Sequence, residues 1–314
     1  MSNINKNRVG IIGVPLGFGA SKTGSELGVE AIRLSPVRGN RLLEHITSLG
    51  IEVEDFGNVP IQPPKTQGQS ASFPKHLEEM AAASEAIRKA VYEVLTIGAM
   101  PIILGGDHSI AIGSFSAVSQ FHREKDEPVG LIWFDAHADI NTPETSTTGN
   151  IHGMPLAVLF GEGDEKLVNI GGFSPKLDKK YFAHVGARDI DPGEKSQIHS
   201  LGLKNQFFTM SDIDKRGMTA CVSEAIEIAG AAPGGFAVTF DIDMIDPRFA
   251  PGSGTLVRGG ATYREAHLAL EIIAESDKLR SFEIVEVNPL LDKSNITVEL
   301  AIELILSVLG KTIL

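Results

Sequence analysis

Apolar residues along this chain gather into short unbroken runs, separated by longer stretches in which they recur every three or four positions. The runs at Val9–Val14, Ile51–Asp55, Pro101–Leu104, Gly130–Phe134, Tyr181–Val185, Asn205–Thr209, Gly235–Phe240 and Ser281–Val287 predict eight strands. Several lack polar alternation, the mark of strands covered on both faces. Helical periodicity predicts helices over Lys75–Ile97, Ile110–Phe121, Ile151–Phe160, Thr262–Ser276 and Asn295–Leu309, with a small-residue helical stretch over Met218–Gly230. Strand and helix alternate with no dividing linker. The pattern predicts an α/β fold, three-layer αβα with a mainly parallel eight-stranded sheet, in a single domain over residues 1–314. Gly57–Phe73, with Pro60, Pro63, Pro64 and Gly68, reads as a long surface loop, and Asn141–Gly149 as a polar loop.

At 314 residues and 42% hydrophobic, the chain can bury one large core. A net charge of -12 without a Lys/Arg cluster excludes nucleic acid and anionic membrane as partners and favours small or cationic ones. No apolar run is long enough to span a bilayer, and polar Met1–Arg8 leads directly into the first strand, so no targeting signal is expected. The single Cys221 reads as a buried thiol in a reducing compartment, which gives a cytoplasmic expectation. Gly19–Ser25 has the glycine spacing of a phosphate loop but lacks Lys after the second Gly, which excludes nucleotide binding there.

The chemistry is carried by three acidic runs that close strand-like segments: Gly105–Ser109, Asp135–Asp139 and Asp241–Asp243. In a parallel sheet, ligands bind beyond the carboxyl ends of the strands, where these runs fall. Residues two apart on a strand share a side, so Asp135, His137 and Asp139 are expected to converge, as are Asp241 and Asp243. With His108 these make four carboxylates and two imidazoles, a hard oxygen and nitrogen set. It suits Mn2+ first and Zn2+, Co2+ or Fe2+ less well. Shared carboxylates would seat two ions about 3.5–4 Å apart, close enough to activate one bridging water.

The chain also resembles the ureohydrolases, and within them the arginase family. Asp135–Pro155, reading DAHADINTPETSTTGNIHGMP, carries the resemblance, with Gly105–Ser109, Arg188–Glu194, Asp241–Pro247, Gly254–Thr255, Gly259–Glu265 and Glu286–Pro289. The resemblance implies hydrolysis of L-arginine to L-ornithine and urea by a metal-bridging hydroxide on two Mn2+ per chain. It makes His108, Asp135, Asp139 and Asp241 the ligands of one manganese and His137, Asp135, Asp241 and Asp243 those of the other. His152, Glu286 and Asp139 would be the catalytic residues, His152 protonating the leaving amine and Glu286 attracting the guanidinium. Asn141, Thr148, Asn150, Asp191, Glu194 and Thr255 would bind the amino-acid end of the substrate. A homo-trimer or homo-hexamer is implied, with Arg264–Glu265 near a subunit boundary.

Three positions depart from the family pattern. Thr148 stands where Ser is frequent, Met244 where Gly is common, which bears on the pocket wall, and Val29 where Pro usually opens a helix. Competing readings are a ureohydrolase acting on agmatine or a related guanidine, and an inactive metal-bearing assembly protein. The first would lack the contacts of Asn141, Asn150 and Asp191; the second predicts missing ligands, yet all are present. A one-metal deacetylase of similar fold would not need four converging aspartates.

Overall fold

The computed structural model describes residues 4–65 and 73–312. Eight strands, β1 (Asn5–Val14), β2 (Glu52–Asn58), β3 (Ala99–Gly105), β4 (Gly130–Phe134), β5 (Phe182–Val185), β6 (Phe207–Phe208), β7 (Phe236–Asp241) and β8 (Leu279–Val285), form one parallel sheet in the order β2-β1-β3-β8-β7-β4-β5-β6. All eight predicted strands are present. The chain leaves a gap between β3 and β4 that its last two strands return to fill. The crevice above β3-β8-β7-β4 is therefore the place where connections diverge, and the acidic runs open there.

The strands are buried on both faces because helices cover both. In β4, Ile132 and Phe134 face one core while Leu131 and Trp133 face the other; in β3, Ile102 and Leu104 oppose Ile103 in the same way. Phe134 and Phe240 stack with ring centroids 5.3 Å apart beneath the acidic end of the sheet. Each such side chain, fully buried, contributes about 1.5–3 kcal/mol.

The helices are α1 (Gly28–Leu34), α2 (Leu42–Ser48), α3 (Leu77–Thr96), α4 (Ala111–Arg123), α5 (Pro155–Phe160), α6 (Glu165–Val168), α7 (Pro192–Ser200), α8 (Met210–Arg216), α9 (Met218–Ala229), α10 (Tyr263–Glu275) and α11 (Ile296–Val308). None among the described residues is long and apolar enough to cross a membrane. The helix predicted from Lys75 starts at Leu77, because His76 is left-handed with φ 56°. The one predicted over Ile151–Phe160 splits into a 3-10 turn at Ile151–Gly153 and α5, whose first residue, Pro155, lacks the N–H to continue the turn before it. Val29 sits within α1, so the helix forms without the expected proline. Of the predicted Gly57–Phe73 loop, Gly57 and Asn58 belong to β2, residues 59–65 form no helix or strand, and residues 66–72 lie outside the described residues.

Candidate active site

Beyond β3 the chain turns at Gly106, where a Cβ would lie 1.8 Å from the Leu16 carbonyl oxygen, so only glycine fits. Asp107 then accepts from Ser109 N at 3.0 Å and from Gly19 N at 2.8 Å. These bonds set His108 on a 3-10 turn at the floor of the crevice. Asp135 follows β4 and is not in it; its Oδ1 accepts from His137 N at 2.7 Å and its Oδ2 from Trp133 Nε1 at 3.0 Å. Asp139 is left-handed at φ 50°. Asp241 ends β7, and its Oδ1 accepts from Asp243 N at 2.8 Å in the next 3-10 turn. Convergence of these side chains thus comes from tight loops tied by their own carboxylates, not from strand alternation as the sequence suggested.

The six groups meet around two imidazole nitrogens. His108 Nδ1 lies 3.1 Å from Asp135 Oδ2, 3.0 Å from Asp139 Oδ2 and 3.3 Å from Asp241 Oδ2. His137 Nδ1 lies 3.4 Å from Asp135 Oδ1 and 3.1 Å from Asp243 Oδ2. Buried His108 Nδ1 makes no hydrogen bond of acceptable geometry, although its ring stacks on Trp133 at 4.2 Å. Its Nε2 lies 2.9 Å from Thr239 Oγ1, whose hydroxyl donates to Glu283 at 2.7 Å. With Nε2 taken up by Thr239, Nδ1 is the nitrogen that faces the carboxylates. His184 Nε2, 2.7 Å from the His137 carbonyl oxygen, braces the second imidazole.

Crowding like charges in a dry site carries an electrostatic cost that cations relieve. Burial opposes protonation of His108, but Asp135, Asp139 and Asp241 hold its pKa well above the usual value. His137 is raised likewise by Asp243 and Asp135 against burial. Burial and the neighbouring Asp243 and Asp135 push Asp241 well up, and burial and Asp135 push Asp139 up to about 6. Asp135 goes the other way: against burial, His108 and His137 hold it well below the carboxylate range. Two ligand clusters, His108–Asp135–Asp139 and Asp135–His137–Asp243, have donor atoms close enough together to hold an ion. An orphaned imidazole nitrogen facing carboxylates fits a divalent cation.

Above this floor, a cavity of about 190 Å³ is lined by all six substrate residues expected from the sequence: Asn141, Thr148, Asn150, Asp191, Glu194 and Thr255. Their polar groups are held in place. Asn141 Nδ2 donates to Asp191 Oδ2 at 2.8 Å, and Thr145 Oγ1 donates to Asn141 Oδ1 at 2.8 Å. Asp191 and Glu194 form a capping box on α7, a second task that the sequence reading did not assign to them. Burial and Asp139 push the Glu194 carboxyl up to about 7. Thr148 Oγ1 accepts from Asn150 N at 3.2 Å, and Thr255 Oγ1 donates to the ligand-cluster residue Asp243 at 2.8 Å.

His152 lines this cavity and the adjoining one of about 380 Å³, which Glu286 also lines. Its Nδ1 is 3.1 Å from Glu286 Oε1, and burial is outweighed by Glu286, which raises the imidazole to about 9. Glu286, left-handed at φ 62°, is fixed by its N–H to the Gly106 carbonyl oxygen at 2.7 Å and accepts from His108 N at 3.1 Å. Met244, whose place bore on the pocket wall, lines neither cavity and is fully buried against Gly186. Sequence reasoning gave no role to Asp107, Lys22 or Asp189, which shape the site, nor to Ser21 and Lys75, which hold Asn150. Asp107 lay within an acidic run, Asp189 within Arg188–Glu194 and Ser21 and Lys22 within the rejected Gly19–Ser25 loop, while Lys75 lay outside every segment singled out for chemistry.

A parallel sheet with an acid and imidazole cluster above its central strands points to a hydrolase of the amidine-cleaving class, and comparison with known proteins supplies the family. The arginase family model matches residues 7–310. The chain is 41% identical to an arginase of Brevibacillus brevis over 99% of this chain and 100% of that one. The solved arginase of Bacillus caldovelox superposes with a TM-score of 0.89 at 39% identity, covering 100% of both chains, and that of Bacillus subtilis with 0.87 at 40% identity, covering 98% and 100%. The chain belongs to the arginase family and acts as a hydrolase of arginase type.

Proposed function

We propose that the chain hydrolyses L-arginine to L-ornithine and urea with two manganese ions. The observation that carries this reading is the pair of imidazole Nδ1 atoms, each facing carboxylate oxygens and both facing Asp135. His108, Asp135, Asp139 and Asp241 would hold one ion, and His137, Asp135, Asp241 and Asp243 the other. When bound, such ions lower the pKa of water enough to supply hydroxide at neutral pH. The donor set, without thiolate, supports manganese.

The chain's own residues do the rest. Glu286 supplies negative charge for a guanidinium, and its bonds to Gly106 and His108 hold it against the metal floor. His152, kept protonated by Glu286, is placed to give its proton to the leaving amine as the C–N bond breaks. Asn141, Thr148 and Asn150 suit an α-carboxylate, and Asp191 with Glu194 suits an α-ammonium, which supports an amino-acid substrate over agmatine. Thr255, bonded to Asp243, would join floor and wall.

The same proposal includes one catalytic domain over the whole chain, a homo-trimer or homo-hexamer, as the family resemblance implies, and a cytoplasmic location. The lone buried thiol of Cys221, suited to a reducing compartment, supports the last of these. Urea release from a panel of guanidino compounds, with and without added Mn2+, tests the activity. Manganese-dependent release from arginine is expected, and release from agmatine with equal efficiency would overturn the substrate assignment. Light scattering of the purified protein reads the assembly state.

A further inference from the structure

One side chain with no part in the proposed reaction holds Asn150 of the cavity wall. Lys75 Nζ donates to Asn150 Oδ1 at 2.9 Å, and Lys75 N donates to the neighbouring Gly149 carbonyl oxygen at 2.9 Å. Backbone and ammonium of Lys75 therefore both grip the corner at 149–150, although 75 positions separate the two side chains. An ammonium can only donate, so it engages the amide oxygen of Asn150 as an acceptor. Asn150 Nδ2 gives an N–H to Ser21 Oγ at 2.8 Å, and an amide group held beside a cation suits an anion.

The charges of the cavity are arranged accordingly. Asn150 lines both the substrate cavity and a neighbouring one of about 700 Å³ that contains Lys75, while Asp191 and Glu194 line the substrate cavity beyond Asn141. A zwitterionic amino-acid head group has one end suited to each.

We propose that Lys75 is a specificity-determining positioning residue: it fixes the Asn150 amide and supplies the positive charge by which the site selects a substrate carrying an α-carboxylate. This rests on the arginine reading above and adds to it a cation outside the neutral groups that line the pocket.

The test is steady-state kinetics of the manganese-loaded Lys75→Met and Lys75→Arg proteins with L-arginine and agmatine, together with competitive inhibition by L-ornithine and putrescine. Removing a charge-assisted contact at a half-buried site should raise the arginine KM and the ornithine inhibition constant about tenfold in Lys75→Met, with kcat less affected. Agmatine and putrescine, which lack the carboxylate, should change by less than about twofold, and Lys75→Arg should restore most of the arginine preference. Equal losses for both substrate classes, or an unaltered arginine-to-agmatine ratio in Lys75→Met, would overturn the role of Lys75 while leaving the arginine reading intact. An unmodified protein that does not prefer arginine to agmatine overturns that reading and this proposal with it.

Discussion

Asp135 Oδ2 lies 3.1 Å from His108 Nδ1, a fully buried nitrogen with no hydrogen bond of acceptable geometry. The other oxygen of Asp135 faces His137, so this carboxylate serves both halves of the cluster where each imidazole serves one. Asp135→Ala should accordingly lose more manganese and more urea release than His108→Ala. Metal analysis of the purified variants decides it; an Asp135→Ala protein that keeps two ions and near-normal turnover would show that the carboxylate is not shared.

His152 Nδ1 faces Glu286 and the residue belongs to neither ligand cluster, which separates its role from metal binding. His152→Asn should keep its metal while turnover falls about 10²–10⁴-fold, the usual worth of a positioned acid. Small imidazole in the buffer should return part of the rate. Unchanged turnover and an unchanged pH–rate profile would remove His152 from the chemistry.

The same pair predicts a pH dependence of stability in metal-free protein. Glu286 raises the His152 pKa from 6.5 to about 9, so the folded state holds the proton more tightly than the unfolded chain does. The resulting stabilisation is fully present below pH 6.5 and is lost as pH rises through about 9. Urea denaturation of the unmodified and His152→Asn proteins across this range should show a stability difference that shrinks toward alkaline pH. A constant difference would mean that the pair is not ionic.

Asp191 caps α7 and also receives the Asn141 amide, so its removal mixes two effects. Asp191→Asn keeps a capping side chain and removes the charge, whereas Asp191→Ala removes both. Both should raise the arginine KM, and only the alanine variant should also lose about 1 kcal/mol of stability. Thermal melts beside arginine and agmatine kinetics separate the two. If neither variant alters the arginine-to-agmatine ratio, Asp191 has only its structural task.

The sheet was legible because its strands, such as β3 and β4, bury both faces, and a short unbroken apolar run between turn residues fits best between two helical layers. Helix α7 escaped because only Glu194 and Ile198 of it are buried, leaving no periodic face, yet Asp191-Pro192 followed by Glu194 was a readable start signal. The candidate ligand residues were legible by type and by their places at strand ends. Their geometry was not, since Asp135–Asp139 leave the strand and turn through a left-handed Asp139. Lys75 was illegible for a simpler reason. Its partner is distant in sequence, and nothing in the composition around Pro74 and His76 marks one ammonium as facing a cavity.

Asp139 and Glu286 occupy backbone conformations that glycine adopts without penalty and that cost other residues about 1–3 kcal/mol. A search that rewarded heat tolerance alone would therefore drift toward glycine at these two positions. Each success would delete either an oxygen facing His108 or the carboxylate facing His152. On the proposed reading the most tempting improvements to the scaffold would be the ones that silence it, and any library built to harden this fold should hold both positions constant.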